Sequence, residues 1–316
     1  MNTRPTSVSV TASPFLLSDD GLYRRWREWK LDGYPTTAEA LVVEIADPSA
    51  PTRAEIGELQ RIICKTNMVI YSCPGDKPVD KVLFRDLGER FGLRHLDNNL
   101  LADEDSVTSL QVVPGKSTRG YIPYSNQRLQ WHSDGYYNTP ANTIRAFALH
   151  CVSPAAEGGD NELLDHEIVY ALLRDANPDY VRALLAADVM TIPANTESGS
   201  ETRAAQSGPV FSVDHTTGTL HMRYTARTRS IEWKQDGITR QAVAFLQGLL
   251  ATGSPYLFTH RLAAGQGLVC NNVLHNRTGF TDDVDKGMRR LLYRARYFDR
   301  IAHTHLNEIF DLGTDS

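Results

Sequence analysis

The residues most able to do chemistry lie in the segment QRLQWHSDGYYNTP, residues 127–140, where His132 and Asp134 are two positions apart. If this segment is a strand, both side chains project from one face, because strand side chains alternate. A converging imidazole and carboxylate suit Fe(II), Mn or Zn better than a thiolate site would. Two ligands are too few to hold a metal, so the pattern predicts a third ligand elsewhere in the chain.

The third ligand that we predict is His275, in the segment GLVCNNVLHNRTGF. It follows a strand-like stretch and precedes a Thr-Gly turn, which would place it at a strand end facing a cavity. Two histidines and one carboxylate form the facial triad of non-haem Fe(II) oxygenases and leave three coordination positions open. A bidentate keto acid and O₂ can take those positions.

Arginines alternate with other residues in the downstream segment GMRRLLYRARYFDR. On a strand, Arg290, Leu292, Arg294 and Arg296 share one face. An inward guanidinium is costly unless it meets an anion, and it can hold a carboxylate through two parallel hydrogen bonds. The distal carboxylate of 2-oxoglutarate is such an anion. A slip of one residue in the strand register would put Arg289 in place of Arg290.

The elements that must position these residues are short strands preceded and accompanied by helices. Apolar spacing and caps predict helices in DGLYRRWREWKLDGYP, TRAEIGELQRIICKTN with Thr52 as N-cap, VDKVLFRDLGERFG with Gly92 as C-cap, NPDYVRALLAAD and TRQAVAFLQGLLAT. Strands are predicted in ALVVEIAD, MVIYSC, NTIRAFALHCV, GPVFSVD, TLHMRYTA, GLVCNNVLH and RRLLYRARYF. This order favours an α+β domain built on an antiparallel barrel or sandwich.

Taken together, these motifs resemble the Fe(II)/2-oxoglutarate-dependent dioxygenases of the taurine dioxygenase/TfdA family. The segment SPAAEGGDNELLD is similar to the GGD turn that follows the family's first metal motif. The segment NNVLHNRTGF is similar to the second metal motif of the related γ-butyrobetaine and trimethyllysine hydroxylases. The resemblance extends from about residue 60 to about residue 300. It implies a double-stranded β-helix, or jelly-roll barrel, flanked by helices.

The resemblance also implies roles for particular residues. His132, Asp134 and His275 would bind Fe(II), and Arg290 would bind the C5 carboxylate of 2-oxoglutarate, with O₂ as the other co-substrate. Arg294 is expected deeper in the pocket, near 2-oxoglutarate or the prime substrate. Related halogenases replace the carboxylate by a small residue, so the presence of Asp134 favours hydroxylation or another oxidation.

Other pocket residues are less well defined by the resemblance. Asn161 stands where the family often has a threonine that helps to hold 2-oxoglutarate, which is a departure from the pattern. Candidate substrate-binding residues are Tyr136, His95, Arg223 and Tyr224, each with a structural role in the wall or core as the alternative. Nearby arginines favour an anionic substrate such as a carboxylate or sulfonate, whereas the aromatic cluster at 131–137 suits an amine.

The composition is that of a folded protein with a small-molecule substrate. Its 316 residues, 41% hydrophobic and 22% charged, contain no dividing linker, so we predict one domain over 1–316 with an unassigned N-terminal extension over 1–55. The net charge of −5 without a basic block argues against nucleic acid, and no apolar run could span a bilayer. Scattered cysteines and the lack of a secretory signal predict a cytoplasmic protein, while homo-oligomerisation stays open.

Two other functions use the same ligands. A non-catalytic metal-binding barrel or sensor would lack a ligand or the anion-binding arginine, and neither is missing in the sequence. A metal-dependent hydrolase on the same triad would need a general base near the metal and no dedicated keto-acid anchor. The arginine strand therefore favours the oxygenase.

Overall fold

The computed structural model describes residues 12–97, 106–112, 125–197, 200–228 and 231–313. Residues 1–11 of the predicted N-terminal extension lie outside these ranges. The helices are α1 Asp20–Leu31, α2 Arg53–Thr66, α3 Lys81–Arg90, α4 His166–Ala176, α5 Pro178–Leu184, α6 Gly237–Thr252 and α7 Leu306–Ile309, with 3-10 turns at Ala38–Leu41 and Pro140–Asn142. None of these helices is both long and apolar enough to cross a bilayer.

Helix ends follow the capping chemistry of the sequence. Thr52 caps α2 through a capping box with Glu55, as predicted. The C-cap of α3 is Phe91, one residue before the predicted Gly92, which follows it with a φ of 76°. Helix α4 was not predicted, although Asp165 provides its N-cap by accepting from the Glu167 N–H group.

The strands of the described residues form two larger sheets and several small ones. In chain order they are β1 Val42–Glu44, β2 Met68–Ser72, β3 Thr108–Leu110, β4 Leu129–His132, β5 Ala146–Ser153, β6 Glu157–Gly158, β7 Asn161–Leu164, β8 Met190–Ile192, β9 Asn195–Glu197, β10 Ser200–Arg203, β11 Gln206–Gly208, β12 Phe211–Val213, β13 Leu220–Met222, β14 Glu232–Trp233, β15 Phe258–His260, β16 Gln266–Cys270, β17 Leu274–Arg277, β18 Phe280–Thr281 and β19 Leu291–Tyr297. The predicted α+β content is confirmed.

The main sheet has the strand order β1-β2-β16-β5-β19-β3. Its pairs are antiparallel except for β1 and β2, which run parallel with Val42 opposite Ile70. Strand β2 is an apolar run, MVIYS, because it is buried on both faces in the interior of this sheet. Residues 42–44, inside the predicted N-terminal extension, thus form an edge strand of the main sheet.

The second sheet has the strand order β15-β7-β17-β4 and is antiparallel throughout. It faces the main sheet, because the ring of Phe147 on β5 lies 4.5 Å from the ring of His275 on β17. Helix α1 belongs to the same body, since its apolar residues Tyr23 and Trp26 are buried in a cluster that also contains Trp131 of β4. The space between the two sheets is where the predicted ligands meet.

The structure corrects one strand prediction at this point and limits a second strand that the sequence analysis considered. The segment GLVCNNVLH is two strands in different sheets, and the chain crosses between β16 and β17 at residues 271–273. Asn272 adopts a φ of 51° there, a left-handed conformation that asparagine tolerates better than most residues. The segment LQWHSD is a strand only as far as His132, so Asp134 lies in the following turn.

Candidate active site

The three predicted metal ligands lie together between the sheets. One ligand atom from each of His132, Asp134 and His275 lies within 4.8 Å of the others. His132 and His275 are directly opposite on β4 and β17, with ring centroids 4.2 Å apart. All three residues are at most 9% exposed. Residues far apart in the sequence are therefore gathered at one buried point.

Backbone carbonyls orient both imidazoles. The Nδ1 atom of His132 lies 2.9 Å from the Gln130 carbonyl, and the Nδ1 atom of His275 lies 2.9 Å from the Val273 carbonyl. Because a carbonyl only accepts, each Nδ1 carries the proton and each Nε2 presents a lone pair. Burial, followed by the neighbouring His132, lowers the pKa of His275 to about 3, so His275 is neutral at neutral pH.

Asp134 supplies the negative charge of the centre. Its Oδ1 atom lies 3.7 Å from His132 Nε2 and 3.9 Å from a guanidinium nitrogen of Arg294. Burial by itself raises the pKa of Asp134, but Arg294 and the other neighbouring groups outweigh it and hold the pKa well below its usual range. Its Oδ2 atom is buried with no hydrogen-bond partner among the residues that the structure describes. An unpartnered carboxylate oxygen beside two imidazole lone pairs fits a divalent metal such as Fe(II).

Arg290 lines a neighbouring cavity together with Asn161. Arg290, just before β19, is 6% exposed, whereas Arg289 is exposed to solvent, so Arg290 and not Arg289 is the buried arginine. Its guanidinium stacks on the ring of Phe280 at 4.9 Å, and burial lowers its pKa to about 10. Within the described residues no carboxylate forms an ion pair with it. This is the environment expected of an arginine whose anionic partner is a ligand.

Asn161 is positioned by β7. It is paired with Arg277 of β17. Two residues earlier on β17, His275 is paired with Leu163 of β7. Asn161 and His275 therefore face the same side of the second sheet. The sequence did not indicate Arg261, which lines the same cavity and donates to the carbonyls of Ala155 and Ala156. Nothing in its local sequence distinguishes it from a surface arginine.

Arg294 and Arg296 share the inner face of β19 but differ in their partners. Arg296 is ion-paired with Asp97 and donates to the Tyr137 hydroxyl at 3.0 Å. Arg294 has only the 3.9 Å contact with Asp134 as an ion pair within the described residues, and its Nε is buried without a hydrogen-bond partner. Arg294 is thus the guanidinium beside the metal ligands with donor capacity left.

Of the four candidate substrate-binding residues, Tyr136 lies beside the centre. Its ring is edge-on to His132 at 6.5 Å. Arg223 instead donates to the carbonyls of three separate segments, those of Tyr136, Met190 and Gln206, at 2.7, 3.1 and 2.7 Å. Its donors therefore hold the fold together, which favours the structural alternative for Arg223.

The other two candidates are also held by protein groups. The Tyr224 side chain is 1% exposed in the apolar core, while its backbone exchanges hydrogen bonds with Ser133. The side chain of His95 is 77% exposed, and its Nδ1 lies 2.7 Å from Asp299. These surroundings also favour the structural alternative for both residues.

The sequence model of the "Taurine catabolism dioxygenase TauD, TfdA family" matches residues 35–296. The chain belongs to this family. The predicted resemblance is confirmed, and the description of the family is that of a dioxygenase. The match begins at residue 35, so it includes part of the predicted N-terminal extension.

Individual members of the family and solved structures are also similar to this chain. A uridine-5'-phosphate dioxygenase from Amycolatopsis sp is 36% identical over 174 residues, which are 53% of this chain and 60% of the relative. Another from Streptomyces sp is 29% identical over 204 residues, 62% of this chain and 71% of the relative. A solved asparagine oxygenase in complex with Fe(II), 2S,3S-3-hydroxyasparagine and succinate is 18% identical, with a TM-score of 0.56, covering 92% of this chain and 87% of that one. This likeness shows the fold.

Proposed function

We propose that the protein is an Fe(II)- and 2-oxoglutarate-dependent oxygenase that oxidises a small phosphate-bearing molecule, with a nucleoside 5'-monophosphate as the first candidate. The observation that carries the proposal is the pairing of a buried triad with two arginines on the adjoining strand face that have spare capacity for anions. The sheets would close as the two halves of a double-stranded β-helix in one domain.

Bound Fe(II) would supply the chemistry, namely oxidation of a substrate C–H bond coupled to the O₂-dependent decarboxylation of 2-oxoglutarate to succinate and CO₂. The protein's own residues hold the reactants. His132, Asp134 and His275 fix the metal, and Arg290 with Asn161 binds the distal carboxylate of 2-oxoglutarate. Burial of these groups excludes water and strengthens the charge-assisted hydrogen bonds.

Arg294 supports the choice of an anionic substrate. Its guanidinium lies beside Asp134, and its buried Nε has no partner among the described residues. A phosphate oxygen would satisfy this donor, and a planar guanidinium can bind phosphate through two hydrogen bonds. The names of the two curated relatives support a uridine nucleotide as the phosphate ester to test first.

The deciding experiment measures succinate formed by anaerobically purified, Fe(II)-loaded protein after addition of 2-oxoglutarate and O₂. Uridine-5'-monophosphate is compared with uridine, which lacks only the phosphate, and with taurine and asparagine as a sulfonate and an amino acid. His132→Ala is the inactive control. We expect stimulation by the nucleotide but not by uridine.

The outcomes separate the class from the substrate. Stimulation by taurine or asparagine alone would reject the phosphate ester and keep the oxygenase. Absence of succinate with every compound, in a protein that binds Fe(II), would favour the metal-binding barrel. Turnover of the nucleotide without O₂ would favour the hydrolase.

A further inference from the structure

Two adjacent buried asparagines occupy the crossing between β16 and β17, and they bind different parts of the protein. The Asn272 side chain accepts from the Asp134 N–H at 2.8 Å and donates to the Asp134 carbonyl at 2.9 Å and to the Ile144 carbonyl at 2.7 Å. Asn272 is 1% exposed. One primary amide therefore satisfies both backbone groups of a metal ligand and uses both of its own N–H donors.

Asp134 needs such a partner because the strand does not reach it. Strand β4 ends at His132, and residues 134–137 form a turn. The preceding residue is held by the Ser133 N–H bond to the Tyr224 carbonyl, at 3.0 Å. At Asp134 itself the backbone hydrogen bonds are made with the side chain of Asn272, and not with a neighbouring strand.

The turn at residues 134–137 also packs tightly against Ile144, whose carbonyl accepts a hydrogen bond from the Asn272 amide. Gly135 has a φ of 70°, and a Cβ added there would lie 2.5 Å from Cγ1 of Ile144. The amide of Asn272 spans the Asp134 and Ile144 carbonyls, so it closes the turn against the start of β5. Movement of Asp134 would have to break these hydrogen bonds.

We propose that Asn272 is a positioning residue that fixes the Asp134 carboxylate relative to His275. Asn272 lies three residues before His275, and its left-handed backbone, with a φ of 51°, turns the chain from one sheet into the other. The same residue therefore sets the start of β17 and holds the backbone of the carboxylate ligand. This inference rests on the proposed function only in taking His132, Asp134 and His275 as metal ligands.

The test compares Asn272→Gly with Asn271→Ala. Glycine keeps the left-handed backbone and removes the amide. Asn271 is a matched control, because it is 2% exposed and makes side-chain hydrogen bonds of 3.0 to 3.1 Å with Asn67, Thr304 and Ile301, none of which is a ligand. Binding of Co(II) is measured by calorimetry and by its visible absorption, and thermal unfolding is measured on the metal-free proteins.

We expect Asn272→Gly to weaken Co(II) binding by about 10- to 100-fold, the range for partners that orient metal ligands, and to alter the absorption spectrum. We expect Asn271→Ala to lower the unfolding temperature to a similar extent and to keep the wild-type spectrum and affinity. Wild-type binding by Asn272→Gly would overturn the inference. So would equal weakening in both variants, because it would reflect general loss of stability.

If Asn272→Gly does not fold, Asn272→Asp decides. It keeps an acceptor for the Asp134 N–H group but turns a carboxylate toward two carbonyl oxygens. We expect Asn272→Asp to bind Co(II) more weakly than the wild-type protein. Stronger binding would overturn the inference, because it would mean that the added negative charge acts through electrostatics alone. His132→Ala separates this from the metal assignment. If wild-type protein binds Co(II) and His132→Ala does not, unchanged binding by the Asn272 variants would refute only the positioning role.

Discussion

Replacement of Arg290 by methionine is expected to change ligand affinity and protein stability in opposite directions. Burial lowers the pKa of Arg290 to about 10, and that depression corresponds to about 3 kcal/mol of unfavourable desolvation at neutral pH. Methionine removes this penalty and keeps most of the side-chain volume. Methionine also loses the cation–π contact with the Phe280 ring, which costs about 1 kcal/mol. We therefore expect the free energy of unfolding of the ligand-free variant to rise by about 2 kcal/mol.

The same substitution removes the guanidinium that we propose as the anchor for 2-oxoglutarate. A hydrogen bond to a charged group contributes about 1.5–3 kcal/mol, so the loss of even one such bond would weaken 2-oxoglutarate binding at least about 10-fold, and the loss of two would weaken it further. Calorimetry with Mn(II) in place of Fe(II) measures binding without turnover, and thermal unfolding measures stability. Arg289→Met is the matched control, because Arg289 is the exposed neighbour. An unfolding temperature that falls in Arg290→Met, with 2-oxoglutarate affinity unchanged, would refute the assignment and make Arg290 structural.

Three further outcomes are expected. Arg294→Met should abolish stimulation of succinate formation by the nucleotide while the basal rate without substrate persists; a loss of both would place Arg294 at 2-oxoglutarate instead. Co(II) at about 100 times its Kd should stabilise the wild-type protein by about 2.7 kcal/mol and should not stabilise His132→Ala, as thermal unfolding would show. Lys30 is fully buried and lies 2.7 Å from Asp165 and 2.6 Å from Glu167. Lys30→Met should therefore destabilise the protein by about 3–5 kcal/mol, and denaturant unfolding that shows less than about 1 kcal/mol would refute that reasoning.

The ligand set could be predicted because each part of it leaves a local signal. His132 and Asp134 are close in sequence, and His275 follows a recognisable apolar run. Alternation within β19 placed Arg294 and Arg296 on one face, and just before the strand Arg290 is buried while Arg289 is exposed. These features can be recognised in the sequence because strand periodicity depends only on neighbouring residues.

The crossing at residues 271–273 could not be predicted from periodicity. Apolar residues flank Asn271 and Asn272 on both sides, so the segment looks like one strand with two polar positions. What divides it is the set of partners, since Asn271 bonds to Asn67 and Thr304 while Asn272 bonds to Asp134. Those partners are distant in the chain and become visible only once the fold brings them together.

Arg223 shows the same limit for a functional prediction. A basic residue near a metal motif favours an anionic ligand, and the sequence offered no other partner. In the structure three backbone carbonyls from separate segments take its donors. An arginine with fixed donor geometry can stabilise a junction of loops as well as it binds a carboxylate. Only the acceptors that surround it distinguish the two uses.

The arginines at and just before β19 differ in how far their charges are neutralised. Arg290 lies just before β19, and Arg294 and Arg296 lie within it, yet among the described residues only Arg296 forms a close ion pair, with Asp97. Arg294 lies 3.9 Å from Asp134, one of the predicted metal ligands. Arg290 forms no ion pair with any residue that the structure describes, and burial lowers its pKa to about 10. Keeping two largely buried and incompletely neutralised guanidinium groups is costly unless ligands bring negative charge to both. The two arginines therefore favour two anionic groups bound at once, as a keto diacid and a phosphorylated substrate would provide.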